Sequence, residues 1–509
     1  MMRDSNTTSI WQHTKDPDNL SMKAKTDIYD VIIIGAGITG LTTGLLLQEA
    51  GKKCLILEAR NIGFGTTSGT TAHLNTVLDT PYTDLINKFG LQNSILIAEG
   101  AKDAIALIKD NIDQYDIDCD FQYRDGYMFA ENSDQAEDLD KIYESLKKVN
   151  IEATYSDSTP VPIPFVKAIK FSGQGQFHPI KYLFALVEAF YQNGGIIMEN
   201  SPVEKVETQN DQQTVSTANE RYIAHSVVYA THIPFGLNAL HFKCAPYRSY
   251  LIGVLLPEAH SYPDALIYDM QEPYHYFRTV NDGNEKVLLI GGNDHKTGHK
   301  VNTEYIFSEL EAYARKFYEI KSVVYKWSAQ YYEPSDGLPY IGHLPGVPPN
   351  VYVATGYSGN GMIFGTLSGL IISDLILSGK NRYADLLSPS RIKPLASFKN
   401  MVKENFDVVK HFIADRLSVE SLPELADLSK GEGKVVEFQG EKLAVYKELS
   451  GALKALRPVC PHAGCIVEWN NAEKSWDCPC HGARYDIEGR FLNGPSAQSL
   501  HAISLNNDA

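Results

Sequence analysis

Residues 27–60 of this 509-residue chain read DIYDVIIIGAGITGLTTGLLLQEAGKKCLILEAR, and this stretch narrows the choice of fold further than any other. Val31–Ile34 is a short apolar run of strand character. It leads directly into Gly35, Gly37 and Gly40, the pattern G-x-G-x-x-G, after which Leu41–Ala50 reads as a helix. A second strand, Cys54–Leu57, ends in Glu58, eighteen residues beyond the third glycine. Each part has a physical task in holding a dinucleotide. Gly35 makes the tight turn, Gly37 lets backbone approach a pyrophosphate, Gly40 allows close helix–strand packing, and the positive helix end faces the phosphates. Glu58 can accept hydrogen bonds from ribose hydroxyls. The strand before, the helix after and the acid beyond distinguish this stretch from a plain glycine turn.

Length and charge bound the remainder. A 509-residue chain is too long for one core, so two or three domains are expected. The formal net charge of −16 has the wrong sign for tracking nucleic-acid phosphates, and no nucleic-acid partner is expected. No integral membrane segment is expected either. The longest apolar candidate, LSGLIISDLILSG, is interrupted by Asp374 and falls short of the roughly 18 apolar residues of a span. Residues 1–26 are polar, lack the apolar centre of a signal peptide and read as a loose N-terminal leader. Cys54, Cys119 and Cys244 are scattered, a usage that fits a cytoplasmic location.

The loop NIGFGTTSGTTAHLNT, residues 61–76, supplies more backbone N–H groups and hydroxyls than a nicotinamide domain needs after its acidic strand. It resembles the loop over the pyrophosphate and flavin in the D-amino-acid oxidase-like FAD-dependent oxidoreductases. That resemblance implies cofactor contacts from Thr66, Thr67, Ser68 and Thr71. It extends discontinuously over residues 27–391. GQFHPIKYLFALVEAFYQNGG reads as a helix started by Pro179 and ended by Gly194 and Gly195. The following strand brings Val203 to the adenosine by resemblance. AHSVVYATH is a strand returning to the nucleotide domain and ending at Ala230 and Thr231. Val351–Ala354 leads into TGYSGNGM and a long helix. There Gly359, Asn360, Gly361 and Met362 are expected at the flavin, where glycine admits a planar ring and the helix end can stabilise negative charge. No cysteine lies in residues 327–345, where related enzymes attach FAD, so the FAD is expected to be non-covalent.

Residues 240–335 are expected to form a sheet over the flavin. Arg248, Tyr250, Tyr276 and Arg278 are the substrate-pocket candidates, an arginine there being suited to hold a carboxylate bidentately. The alternative is that they are polar residues on solvent-facing strand surfaces. No catalytic base can be named. His295 and His299 form H-x3-H without a third ligand and read as a loop, not a metal site.

The C-terminal stretch CPHAGCIVEWNNAEKSWDCPCHGARYD, residues 460–486, holds Cys460-x-His462 and Cys478-x-x-His481. Two cysteines and two histidines can bind zinc or a Rieske [2Fe–2S] cluster. A zinc finger groups its histidines on one helix, whereas here each histidine shares a loop with a cysteine. The tail resembles the Rieske proteins of cytochrome bc1 type. The resemblance implies a disulfide between Cys465 and Cys480 and a shielding loop at Gly494–Pro495. Those proteins read C-P-C-H-G-S, where this chain has Ala483, so a lowered cluster potential is expected.

The expected architecture is an α/β FAD-binding Rossmann-like domain with an interleaved α+β substrate domain, plus a small C-terminal all-β Rieske domain. Nucleotide-binding parts fall at about 27–80, 170–235 and 335–380, and substrate-domain parts at 81–169 and 236–334. A linker helix spans 391–420, its face marked by Leu395, Phe398, Val402, Phe406, Val409, Ile413 and Leu417, and the cluster domain spans 421–509. With the cofactors on separate domains, their sites are expected to be independent. The resemblance implies oxidation of a small amine or amino acid, with electrons passing singly through the cluster to an external one-electron acceptor. The alternatives are a partner protein acting as donor and driving the reverse flow, or a redox sensor without turnover. Anaerobic flavin bleaching by small amines separates the first reading from both.

Overall fold

The computed structural model describes residues 3–14, 28–299, 302–391, 428–438 and 440–504. The expected linker helix lies outside the described residues except for Arg391.

The glycine fingerprint builds the centre of the first sheet. Its strand Tyr29–Ile34 pairs in parallel with Cys54–Leu57 on one side and Arg221–Tyr229 on the other. Ile196–Met198 and Val351–Thr355 extend the parallel core, and Tyr340–His343 adds an antiparallel edge. The apolar runs are buried on both faces, as parallel strands require. Helix Ile38–Glu49 begins at Gly37 and crosses helix Gly361–Ser378 at close range. Small residues permit the crossing: a Cβ on Gly369 would lie 2.6 Å from Thr42 Cγ2, and one on Gly365 2.7 Å from Ile38 Cγ2. Helix Gly361–Ser378 is long and apolar enough to cross a membrane, yet 67% of its apolar window is buried inside the protein. Helix Pro179–Gln192 starts at the expected proline, capped by the His178 side chain, and is followed by Gly194 at φ +87°.

The second sheet has nine strands, and Cys244–Leu255 lies between Ser322–Pro334 and Glu285–Lys296. His275–Asp282 follows, and one face of this group covers the glycine loops of the first sheet. His295 is on strand Glu285–Lys296, where its ring bonds the Tyr250 hydroxyl at 3.1 Å, so it is not in a loop as expected.

The C-terminal unit is all β, with two four-stranded antiparallel sheets. One contains Glu468–Asn470, Ser475–Asp477, Arg484–Tyr485 and Phe491–Asn493, so the Cys/His loops are held at the ends of its short strands.

The N-terminal segment is not loose where it is described. Ile10 and Trp11 are buried, and Trp11 Nε1 donates to Thr70 O at 2.7 Å. Arg3 and Asp4 are buried where the second sheet meets the C-terminal unit. Polar sequence suggested a free leader, but here its charges are matched by buried partners from both units.

Candidate functional site

A long cavity runs from the fingerprint to the second sheet. Of the residues expected at the cofactor, Gly35, Gly37, Glu58, Thr66, Thr67, Thr71, Val203, Thr231, Gly359, Gly361 and Met362 line it. Gly35 takes φ +107°, and a Cβ there would lie 2.7 Å from Ala230 O. Glu58 accepts from Ala36 N at 2.8 Å and Arg60 N at 2.9 Å, which holds its carboxylate beside the cavity. Burial raises its pKa, and those N–H groups oppose the rise.

Gly40, Ser68 and Asn360 do not line the cavity. A Cβ on Gly40 would meet Gly35 O at 1.9 Å, so its task is packing. Ser68 Oγ donates back to Gly65 O. Asn360 ties two segments together, accepting from Asp79 N at 3.0 Å and donating to Asn75 Oδ1 at 3.2 Å.

Of the four pocket candidates, only Tyr276 reaches the cavity, and its hydroxyl bonds Ser249 Oγ at 2.9 Å. Tyr250 is fully buried against His295 and Phe307. Arg278 binds the carbonyls of Thr71, Ala72 and Phe177 and stacks on Trp11, so it holds the glycine-rich loop instead of a substrate. Arg248 faces the other unit, donating to Ser328 Oγ at 2.7 Å with Glu473 Oε1 at 3.6 Å. An arginine two positions from a pocket residue on the same strand was legible; which partner it met was not.

Two carboxylates stand behind the cavity wall, each bonded to a residue that lines it. Asp294 accepts from the Tyr331 hydroxyl at 2.8 Å, and Asp79 accepts from Gly359 N at 2.6 Å. Burial pushes the Asp294 carboxyl up to about 6, and repulsion from Asp79 adds to the rise. Neither was singled out in the sequence, because each is a lone aspartate in a loop or strand end.

In the C-terminal unit, Cys460 and Cys478 are buried free thiols, and Cys465 and Cys480 form a disulfide with Cα atoms 6.5 Å apart. The Tyr485 hydroxyl lies 3.2 Å from Cys460 Sγ. His462 Nδ1 and both ring nitrogens of His481 are buried with no partner among the described residues. Two thiols and two imidazoles with unspent lone pairs fit a [2Fe–2S] cluster, since iron would satisfy atoms that burial alone would leave at a cost. The hydrogen bonds also assign a tautomer. His241 Nε2 lies 2.8 Å from Pro234 O, an acceptor only, so this nitrogen carries the proton and Nδ1 is bare. His462 Nε2, 3.1 Å from that Nδ1, must therefore donate, which leaves His462 Nδ1 as the ligand atom.

The cluster loops and the cavity share walls. Gln330 lines the cavity and donates to Gly482 O at 2.9 Å. The Tyr332 hydroxyl donates to His481 O at 3.2 Å, and Gly236 N donates to Pro495 O at 3.1 Å. Phe491, Leu492, Asn493, Gly494, Ser496 and Ala497 of the C-terminal unit close the cavity beside Arg60. The two sites therefore share walls, and of these closing residues the sequence had marked only Gly494, as part of the loop that shields the cluster.

The model for FAD dependent oxidoreductases matches residues 30–375, and that for the Rieske [2Fe-2S] domain matches residues 420–504. The chain belongs to the FAD dependent oxidoreductase family. This FAD dependent oxidoreductase binds FAD, and its Rieske domain binds a [2Fe–2S] cluster. It is similar along its length to YhfW of Bacillus subtilis, described as a Rieske 2Fe-2S iron-sulfur protein: 31% identity over 501 residues, 98% of this chain and 97% of that one. It is 24% identical to the gamma-glutamylputrescine oxidoreductase of Escherichia coli over 70% of this chain and 85% of the relative. The fold is that of glycine oxidase from Geobacillus kaustophilus, with a TM-score of 0.60 at 20% identity, covering 72% of this chain and all of that one. Among the described residues, no cysteine lines the cavity of this FAD dependent oxidoreductase.

Proposed function

We propose that the chain is a dehydrogenase that oxidises a small amine at a C–N bond and passes the electrons singly through its own Rieske centre to an external one-electron acceptor. The observation that carries this reading is the shared wall between the cavity and the cluster loops, where Gln330 touches both. FAD supplies a two-electron acceptor for the substrate, and the cluster supplies a one-electron relay. Cys460 and Cys478 would hold one iron, and His462 and His481 the other, with the Cys465–Cys480 disulfide bracing the two loops. FAD is non-covalent in this reading, with its pyrophosphate at Gly35, Gly37 and the start of helix Ile38–Glu49. The chain's own contribution at the reacting end is positional. The strands Cys244–Leu255, His275–Asp282 and Ser322–Pro334 place Ser249, Tyr276 and Tyr331 against the cavity and narrow the poses open to a substrate.

The reading is tested by an anaerobic screen of small amines and amino acids, followed at the flavin and cluster bands. Substrate should bleach the flavin in the wild type and in His481→Ala, while reduction of an external one-electron carrier falls in the variant. Carrier reduction unchanged in His481→Ala would remove the cluster from the route. Bleaching only by a reduced protein donor would reverse the direction of flow.

A further inference from the structure

The loop of residues 491–497 belongs to the Rieske domain, yet it forms part of the wall of the FAD cavity. It is moored to the rest of the chain at three points. Arg60 Nη2 donates to Phe491 O at 2.8 Å, and Gly236 N donates to Pro495 O at 3.1 Å. Asn493 Nδ2 donates to Asp4, whose own backbone N donates to Phe64 O at 3.1 Å. Arg60, Phe64 and Phe235, the neighbour of Gly236, all line the cavity. Arg60 stands two positions beyond Glu58, the acid that closes the second fingerprint strand and suits ribose hydroxyls. The loop is thereby tied to the end of the cavity where adenosine belongs. Its other side rests on the second Cys/His loop. Gly494 takes φ +105°, and a Cβ there would lie 2.7 Å from both Ala483 Cα and Gly482 O, directly after His481.

We propose that residues 491–497 are a cofactor-binding element, through which the Rieske domain caps the adenosine half of FAD and retains it. Leu492 and Ala497 give this wall an apolar surface suited to a purine ring, beside the Glu58 carboxylate suited to the ribose. An electron relay needs proximity to the flavin ring. A loop tied at the Glu58 end does something else, and its place fits holding the cofactor. FAD then contacts both units at once. By linkage, the loop tightens FAD by the same factor by which FAD tightens the seat of the loop. The assignment concerns the bound cofactor and not the substrate, so it holds for either direction of electron flow.

The test is the rate of FAD release from the full-length holoprotein on dilution, followed by free-flavin fluorescence. Leu492 is half-buried, and Leu492→Ala should release FAD about fivefold faster with iron content and the cluster EPR signal unchanged. Leu449 belongs to the same domain, is 75% exposed and does not line the cavity, so Leu449→Ala should release FAD at the wild-type rate. Hydrogen exchange of the wild type, with its cluster in place, is the second measurement. Removing FAD should speed exchange in residues 491–497 and leave strand Glu441–Lys447, in the other sheet of the domain, unchanged. If Leu492→Ala loses iron, hydrogen exchange decides. Wild-type release from an iron-replete Leu492→Ala protein, equal quickening by Leu449→Ala, or protection of residues 491–497 indifferent to FAD would overturn the proposal. None of these readouts involves a substrate, so the two readings fail separately. A flavin that no amine bleaches, yet leaves Leu492→Ala faster, sinks the oxidation reading alone.

Discussion

At the scale of single residues, two hydrogen bonds tune the cluster in opposite directions. Tyr485 donates toward Cys460 Sγ at 3.2 Å, and reduction of a cluster adds negative charge that such a donor stabilises. Tyr485→Phe should lower the midpoint potential. A hydrogen bond to a charged group is worth roughly 1.5–3 kcal/mol, or about 60–130 mV for one electron. Ala483→Ser, restoring a hydroxyl where related Rieske loops carry serine, should raise it. His241 acts the other way. By accepting from His462 Nε2 at 3.1 Å it makes that imidazole a stronger donor to iron, which favours the oxidised state. His241→Leu should therefore raise the potential by about 20–65 mV, the worth of one neutral hydrogen bond of roughly 0.5–1.5 kcal/mol. Redox titration of the reduced cluster's EPR signal checks all three. A fall in potential for His241→Leu would mean that the tautomers are reversed.

At the scale of elements, the helix crossing at Gly365 and Gly369 sets how closely the fingerprint helix lies against the flavin-loop helix. A Cβ on Gly369 also comes within 3.1 Å of Thr43 N, which is backbone and cannot swing away. Gly369→Ala should cost about 1–3 kcal/mol as overpacking and loosen FAD, seen as a lower thermal midpoint and easier flavin release on dilution. The glycine-rich loop is secured differently. Arg278 serves three carbonyls from the interior, so Arg278→Ala leaves buried acceptors unmet at about 1–3 kcal/mol each. Its signature should be weakened FAD retention with unchanged preference among substrates, a pattern that a substrate-binding arginine would not produce.

At the scale of the molecule, a buried charge network joins the N-terminal segment, the second sheet and the Rieske domain. Glu473 accepts from Thr7 Oγ1 at 2.9 Å and from Ser5 and Ser328, and Arg248 lies beside it. Arg484 binds Asp477 at 3.1 Å and donates to Asp4 O at 2.6 Å. Burial alone would raise the Glu473 carboxyl, yet Arg248, Arg3 and Arg484 draw it down to about 2. A depressed carboxyl contributes stability above its unfolded pKa, near 4.3, and that contribution is lost as pH falls toward 2. Glu473→Gln removes the charge while buried arginines remain, and should cost about 3–5 kcal/mol. Scanning calorimetry should show a lower or split transition. A single unshifted transition would mean that the domains are held by other contacts.

The sequence alone determined the two chemistries. The spacing of Gly35, Gly37, Gly40 and Glu58 and of the Cys/His loops is local, because turn geometry and ligand number act over a few residues. Most of the expected cavity contacts were legible for the same reason. The partners of Arg248 and Arg278 were not, since alternation along a strand says which face a side chain takes and nothing of what covers that face. Asp79 and Asp294 come near one another only when a loop and a strand end more than two hundred positions apart are brought together. That the Rieske domain closes the FAD cavity, and that the N-terminal segment is buried between the units, follows from matching buried charges across surfaces. Such pairing is decided by tertiary packing, because an unpaired buried charge costs far more than any local preference can return.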